Sequence, residues 1–384
     1  MMSSFLPALA DASNYPRARV PMVPYVRRAS FASPSLWQAR FGLAARPQCV
    51  TVSGRTALAR LARLLKLNAK DRVLLPAYHC PSMVEPFMHA GCELEFYKLD
   101  GALAPDRADF MRALSVPPRV VVFVKFFGFE GGNEECATLA RAAGASVVHD
   151  CAHAWYALPR IAPSDYAIAS LVKFFAVEEG GLLLAPSGTE LTAPAQAPGL
   201  RRNLRLISRA WARRQAAFSA PTRDNTVAKT GIPEVSSIAA NVEPRSAVYR
   251  YFDPQDVERD VTFYTSLLLK ILGSEQAAHR RRQHYQQLAA MLGTLRGVKL
   301  LHDRLPDDVV PYVLPLLLDD GPRQFDALRG AGIPLYRWEE LIPSHCETSN
   351  DYRTRLVQLP CHQDLSAAHM DVLREGLSRC LGQA

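Results

Sequence analysis

The chain has 384 residues, 48% of them apolar and 21% charged, more than one compact core usually covers, so a large domain and a smaller one are expected. Collagen, disorder and small disulfide scaffolds are excluded, and the longest apolar runs, Val120–Val124 and Val313–Leu318, stop well short of the roughly 18 to 20 residues a bilayer crossing needs. Forty-five lysines and arginines against 37 acids give a net charge of +8, which favours anionic partners without naming them.

The first residues, MMSSFLPALADASNYPR, carry no basic stretch ahead of their short apolar patch and no convincing cleavage site, so they do not read as a secretory signal. From Ser53 to about Ala185 short β-rich runs alternate with helical runs, the pattern of a mostly parallel sheet with helices on both faces. A helix is predicted over RTALARLARLLK, where Leu58, Leu61, Ala62 and Leu65 recur at helical spacing behind a Ser53-Gly54 cap. Strands are predicted at Arg72–Pro76, Leu94–Leu99, Val120–Lys125, Ser146–His149, Ala167–Leu171 and Leu182–Ala185, with helices around Met83–Ala90, Asp106–Leu114 and Glu134–Ala143.

Between Pro186 and Arg250 periodicity weakens, apart from one helix in which Arg201, Arg205, Arg209 and Arg213 stand at i, i+4 spacing opposite Leu204, Ile207 and Trp211. That arginine stripe reads as a solvated face. With Arg202, Arg214 and a second run at Arg280–Arg282 it holds much of the basic excess, yet no aromatic-and-glycine signature of an RNA-binding sheet accompanies it, so nucleic acid is not expected. A helix is predicted at Val261–Leu272, strands at Val309–Leu318 and Arg355–Leu359, and a last helix capped by Ser366 with Met370, Leu373, Leu377 and Leu381 as its stripe and Gly382 as its stop. The eight cysteines (Cys49, Cys80, Cys92, Cys136, Cys151, Cys346, Cys361 and Cys380) have no paired spacing and read as reduced thiols of a cytoplasmic protein.

Three segments carry candidate chemistry. In TVSGRTAL (51–58), small residues ahead of a helix leave backbone N–H groups free for a phosphate, although capping alone would select the same residues. In ASVVHDCAHAWYA (145–157), a strand ends at Asp150, where ligand-directed carboxylates of open α/β sheets lie, and His153 follows; a helix cap and a core histidine are the plainer readings. His149, Cys151 and His153 alternate without a tetrahedral set, so no metal is expected. In SDYAIASLVKFFAVEEGGLLLAP (164–186), Lys173 sits in an apolar run where desolvation lowers an amine's pKa toward nucleophilic use, the alternative being a structural pair with Glu178 or Glu179.

Taken in order, Ser-Gly-Arg-Thr-Ala-Leu, Leu-Pro-Ala-Tyr-His-Cys, His-Asp-Cys-Ala-His-Ala and Ser-Leu-Val-Lys-Phe-Phe-Ala-Val-Glu-Glu-Gly-Gly resemble the DegT/StrS family of sugar aminotransferases, a fold-type I pyridoxal phosphate group. The resemblance covers about 50–185, with GIPLYRWEEL and QLPCHQDLS also similar to family stretches. It implies an α/β fold in three parts: an N-terminal segment (1–45), a large cofactor domain (46–260, with 186–250 variable and arginine-rich) and a small C-terminal α/β domain (261–384).

The resemblance also implies roles. Lys173 falls on the Schiff-base lysine, whose amine holds the cofactor and then moves the proton; Asp150 falls on the aspartate that keeps the pyridine nitrogen protonated. His153 occupies the position of a glutamine that hydrogen-bonds the phenolic oxygen, while Ser170 and the Ser53-Gly54-Arg55 turn would hold the phosphate. Departures are Arg55 in place of threonine, Cys80 where an aromatic stacks on the ring (with Tyr78 or His79 as substitutes), and a shortened Ser170–Lys173 spacing. The Asn-Tyr-Arg signature that a neighbouring subunit commonly contributes is not recognisable, although Tyr249-Arg250-Tyr251 lies in roughly the right region. The implied function is amino transfer from glutamate or another amino acid to a keto group of a nucleotide-linked sugar, in a homodimer, with Arg201 and Arg205 proposed for the diphosphate. The alternatives are a non-sugar substrate, a dehydratase (which Lys173 disfavours) and a catalytically silent binding protein.

Overall fold

The computed structural model describes residues 5–31, 43–218, 249–273 and 275–382; residues 219–248 of the variable stretch lie outside the described residues. Seven strands form the larger sheet: β1 (Gln48–Thr51), β2 (Arg72–Pro76), β3 (Glu93–Tyr97), β4 (Val120–Val124), β5 (Ser146–Asp150), β6 (Tyr166–Ser170) and β7 (Gly181–Leu184). Their order is β1-β7-β6-β5-β4-β2-β3, with β7 antiparallel to both neighbours and the rest parallel. Every residue of β4 is buried, which is why it reads as an unbroken Val/Phe run.

Between the strands run α1 (Gly54–Leu64), α2 (Pro81–His89), α3 (Arg107–Leu114) and α4 (Asn133–Ala142). Ser53 caps α1 by accepting the Thr56 N–H at 3.2 Å, and Asp106 caps α3 through Asp109 N–H at 2.9 Å. The parallel strands therefore bring Cys80, Asp150 and Ser170 to one end of the sheet, the end where open α/β folds bind ligands.

A second, antiparallel sheet of order β10-β9-β8 comprises β8 (Val298–Leu300), β9 (Val313–Leu318) and β10 (Leu356–Pro360). Strand β9 starts later than Val309: Pro311 has no N–H to offer a ladder, and the Tyr312 N–H pairs with the Phe127 carbonyl at 3.0 Å. One hydrophobic core runs through both sheets.

Helix α5 (Leu200–Phe218) corrects the expected orientation. Leu206, Ala210 and Ala217 face inward together with Arg213, while Leu204 (58% exposed), Ile207 (45%) and Trp211 (62%) face outward. The reason is electrostatic. Beneath the helix lie the carboxylates of Glu178 and Glu179, and Arg213 and Arg202 turn inward to pair with them at 2.7 and 2.5 Å. Next in the chain, α6 (Phe263–Ile271) is capped by Thr262, and α7 (Glu275–Leu292) packs on β8 and β9. On α5, Arg201, Arg205 and Arg209 remain exposed, whereas the arginine run on α7 is not a solvated face: Arg280 donates to the Leu365 carbonyl, Arg282 to those of Pro306 and Val309, and Arg281 is fully buried. The chain closes with α8 (Gly321–Gly330), α9 (Glu347–Arg355) and α10 (Ala367–Cys380), the last begun by a capping box at Ser366.

Candidate active site

Asp150 is the last residue of β5, and Lys173 ends the single 3-10 turn Leu171–Lys173 that follows β6. Both line one pocket. Burial lowers the Lys173 amine from its ordinary value, opposed by Cys80 and Asp150, so the neutral amine is reached at lower pH than in water. Burial raises the Asp150 carboxyl, opposed by the Ala152 N–H at 2.8 Å and by the Lys173 charge. The lysine has not taken the structural partners open to it, since Glu178 and Glu179 are held by Arg213 and Arg202.

Ser53, Gly54 and Arg55 line the same pocket at the N-terminus of α1, where the positive end of the helix and an arginine make a cationic corner. This corner depends on Gly181. Its backbone passes so close that a Cβ there would lie 2.6 Å from the Gly54 nitrogen and nearer still to the Ser53 carbonyl. Ser170, register partner of Gly181, also lines the pocket, so the short Ser170–Lys173 spacing keeps both residues on one wall.

His153 is buried against Phe127 and Tyr312, its ring stacked on that of Tyr312 at 4.6 Å. Its Nδ1 accepts the Phe127 N–H at 3.4 Å, and burial with the Lys173 charge holds the imidazole well below its ordinary pKa, so it is neutral with its proton on Nε2. Cys80 lines the pocket as the N-cap residue of α2, its thiol 3.1 Å from the Ser82 hydroxyl. Neither proposed substitute for an aromatic at Cys80 reaches the pocket. Tyr78 stacks on Trp338 at 5.1 Å, and His79 stacks on Phe96 and accepts the Ile342 N–H at 3.0 Å.

Sequence reasoning did not assign the aromatic wall made by Tyr251, Tyr312, Tyr336 and Trp338. Tyr336 and Trp338 lie within GIPLYRWEEL, which offered a signal, whereas Tyr312 is hidden at the head of a core-strand pattern. Tyr251, in the segment near the expected place of the subunit-bridging signature, lines the pocket of its own chain. The buried Glu85 carboxylate fixes it there by accepting the N–H groups of Arg250, Tyr251 and Phe252 at 2.9, 3.0 and 2.7 Å. Among the described residues no group of three His, Cys, Asp or Glu side chains could hold a metal ion, and no helix is long and apolar enough to cross a membrane.

Residues 43–190, which contain β1 to β7 and the eight site residues of the sequence reading, match the DegT/DnrJ/EryC1/StrS aminotransferase family. Over that segment the chain is similar to the family. It is an enzyme family, and its cofactor is pyridoxal phosphate. Comparison with curated protein sequences finds no match. Among solved structures the chain is similar to the sugar aminotransferase CalS13 from Micromonospora echinospora (18% identity over 98% of this chain and 99% of that one, TM-score 0.59). It is also similar to Helicobacter pylori PseC, an aminotransferase involved in the biosynthesis of pseudoaminic acid (12%, 95% and 99%, TM-score 0.63). A third similar structure is NtdA from Bacillus subtilis with bound cofactor PMP (15%, 91% and 77%, TM-score 0.60). At these identities the likeness establishes the fold, that of the fold-type I pyridoxal phosphate-dependent transferases. The pocket fits that cofactor chemically: a desolvated amine, a buried carboxylate and a cationic helix N-terminus answer an aldehyde, a pyridine nitrogen and a phosphate.

Proposed function

We propose that the protein is a pyridoxal phosphate-dependent aminotransferase that moves an amino group from glutamate, or another amino acid, to a keto group of a nucleotide-linked sugar. The observation that carries this reading is the isolation of Lys173, whose amine is desolvated in the same pocket as Asp150 and without either glutamate that could have neutralised it. When bound, the cofactor supplies an aldehyde that an amine can join and a ring that accepts electrons from the substrate carbon. Lys173 holds the cofactor and afterwards carries the proton as a base; its lowered pKa makes the free amine available for both tasks. Asp150 keeps the ring nitrogen protonated, and His153, neutral with its proton on Nε2, donates toward the phenolic oxygen. Ser53, Gly54, Arg55 and Ser170 would hold the phosphate, and Cys80, which lines the same pocket, offers no aromatic ring to stack on the cofactor.

The wall of Tyr251, Tyr312, Tyr336 and Trp338 suits a sugar, whose C–H faces pack on aromatic rings. The nucleotide and the donor rest on the family resemblance. We read the chain as a cofactor domain at 46–260 and a smaller one at 261–384, a reading supported by its two separate sheets. A cytoplasmic homodimer is part of the same reading, supported by the apolar residues that α5 turns outward. Arg201 and Arg205 are exposed and line no part of this chain's pocket, so a diphosphate role for them would act from its rim or from a partner subunit.

The test is an absorbance spectrum of the purified protein with and without glutamate, followed by borohydride trapping and peptide mass analysis. The cofactor band fades on adding the donor, and the trapped label sits on Lys173. Lys173→Ala keeps its fold and takes no label. Label on Lys125 instead, which the structure pairs with Glu130, overturns the assignment.

A further inference from the structure

Because Lys173 closes a single 3-10 turn, that turn offers no backbone donor to the Lys173 and Phe174 carbonyls. Side chains from around the three-stranded sheet take both. Arg281, on α7, donates through Nη2 to the Lys173 carbonyl at 2.8 Å, and Gln363, just after β10, donates to the Phe174 carbonyl at 2.9 Å. The two are interlocked, since Arg281 Nε donates to Gln363 Oε1 at 2.8 Å. Arg281 Nη1 meets the carbonyls of Pro311 and Tyr312 at 3.3 and 3.1 Å, and the guanidinium lies 4.7 Å from the centre of the Phe174 ring.

This cation is fully buried, and the acceptors of these four hydrogen bonds are uncharged. Burying a charge costs several kcal/mol that apolar packing of the same volume would not, so stability alone does not account for an arginine here. Its bonds do. They tie the backbone of Lys173 to the backbone of Tyr312, and the Tyr312 ring lies 5.2 Å from Lys173 Nζ while stacking on His153.

We propose that Arg281, held by Gln363, is a positioning residue for Lys173: it fixes the lysine and the Tyr312–His153 wall in one frame, so that the amine meets the cofactor and substrate carbon from a set direction. The proposal rests on the reading of Lys173 as the cofactor lysine. Arg281→Lys keeps a charge but cannot span the same four acceptors, and Gln363→Met keeps the volume while removing both bonds of that side chain.

Two readouts on the full-length protein separate positioning from stability: the pH midpoint of the cofactor absorbance, and the rate at which trinitrobenzenesulfonate modifies Lys173 in cofactor-free protein, followed by peptide mass. Gln363→Met is expected to move the midpoint by about 0.5 unit or more and to change the modification rate by about threefold or more. Arg281→Lys is expected to lower kcat of the donor half-reaction about tenfold with little change in KM. Leu373→Ala, a core truncation in α10, lowers Tm but leaves the midpoint where it was. Wild-type values of both readouts in Gln363→Met overturn the proposal, whether or not Arg281→Lys folds. If Lys173 of the wild-type protein takes no cofactor, the functional reading fails instead, and the modification rates still decide whether Arg281 and Gln363 position the lysine.

Discussion

Replacing Gly181 by alanine asks how closely β7 must approach the cationic corner of the pocket. The added Cβ would stand 2.6 Å from the Gly54 nitrogen, with the Ser53 carbonyl nearer still, whereas ordinary contacts begin near 3.4 Å. The obstacle is backbone on both sides, so no rotamer relieves it; the start of α1 and the β6–β7 pair must move apart by about 1 Å, an overpacking strain of about 1–3 kcal/mol or more. The same movement carries the Ser53–Gly54 N–H groups away from Ser170. A phosphate held between them would lose one or two charge-assisted hydrogen bonds, each about 1.5–3 kcal/mol, which is about a tenfold to ten-thousandfold loss of cofactor affinity. Titration of cofactor-free protein with pyridoxal phosphate, followed by absorbance and paired with thermal melts, measures both effects. Gly330→Ala is the control: nothing lies within 4 Å of its Cβ, it sits within α8, and it should stabilise by up to about 1 kcal/mol. If Gly181→Ala melts and binds as wild type does, the close approach is not what builds the phosphate corner.

Asp150→Asn should preserve the Ala152 contact but withdraw the charge beneath the ring nitrogen, slowing the glutamate half-reaction by about a hundredfold or more in stopped flow; a wild-type rate would make Asp150 a turn-holding residue only. Leu204→Glu with Trp211→Glu places charge on the outward stripe of α5, so sedimentation should show monomers with an unchanged melting curve in the monomer, and an intact dimer would move the interface elsewhere. Stability should fall as pH drops from about 6.5 toward 4. Burial lowers His79 and His302 to about 4, so the folded state binds fewer protons than the unfolded chain in that window, each group withdrawing about 1.4 kcal/mol per pH unit. Asp364, raised to about 6 by burial, acts in the opposite sense below that pH and offsets about one of the two histidines. His153 and His362, held well below their ordinary values, steepen the loss; flat urea-unfolding free energies between pH 7 and 4.5 would contradict it.

The larger sheet was legible because each of its inner strands is a short buried run bounded by turns: β2 matches its expected span, and β4 to β7 differ by a residue or so at their ends. The eight site residues were legible as ordered local motifs, and the fold brings all of them to one pocket. What the sequence hid is tertiary. Nothing in the spacing of α5 says that two glutamates lie beneath it: Arg201, Arg205 and Arg209 are exposed as the pattern implies, but Arg213 turns inward and the apolar stripe faces out. Arg281 looked like one charge in a solvated run because its acceptors, the carbonyls of Lys173, Pro311 and Tyr312, lie 30 or more residues away. Tyr312 and Tyr251 carry no local signature at all; each enters the pocket through a long-range backbone contact, to Phe127 in one case and to Glu85 in the other.

The antiparallel placement of β7 has an evolutionary reading. Because Ser170 pairs with Gly181, the ten residues that carry Lys173 leave and re-enter the sheet at the same level, as a closed hairpin. Chain inserted or deleted beyond Leu184 therefore changes neither end of that hairpin, and the polypeptide that follows reaches it through the side-chain pairs Arg202–Glu179 and Arg213–Glu178. The stretch after β7 can drift in length and composition while the lysine stays in register with Asp150.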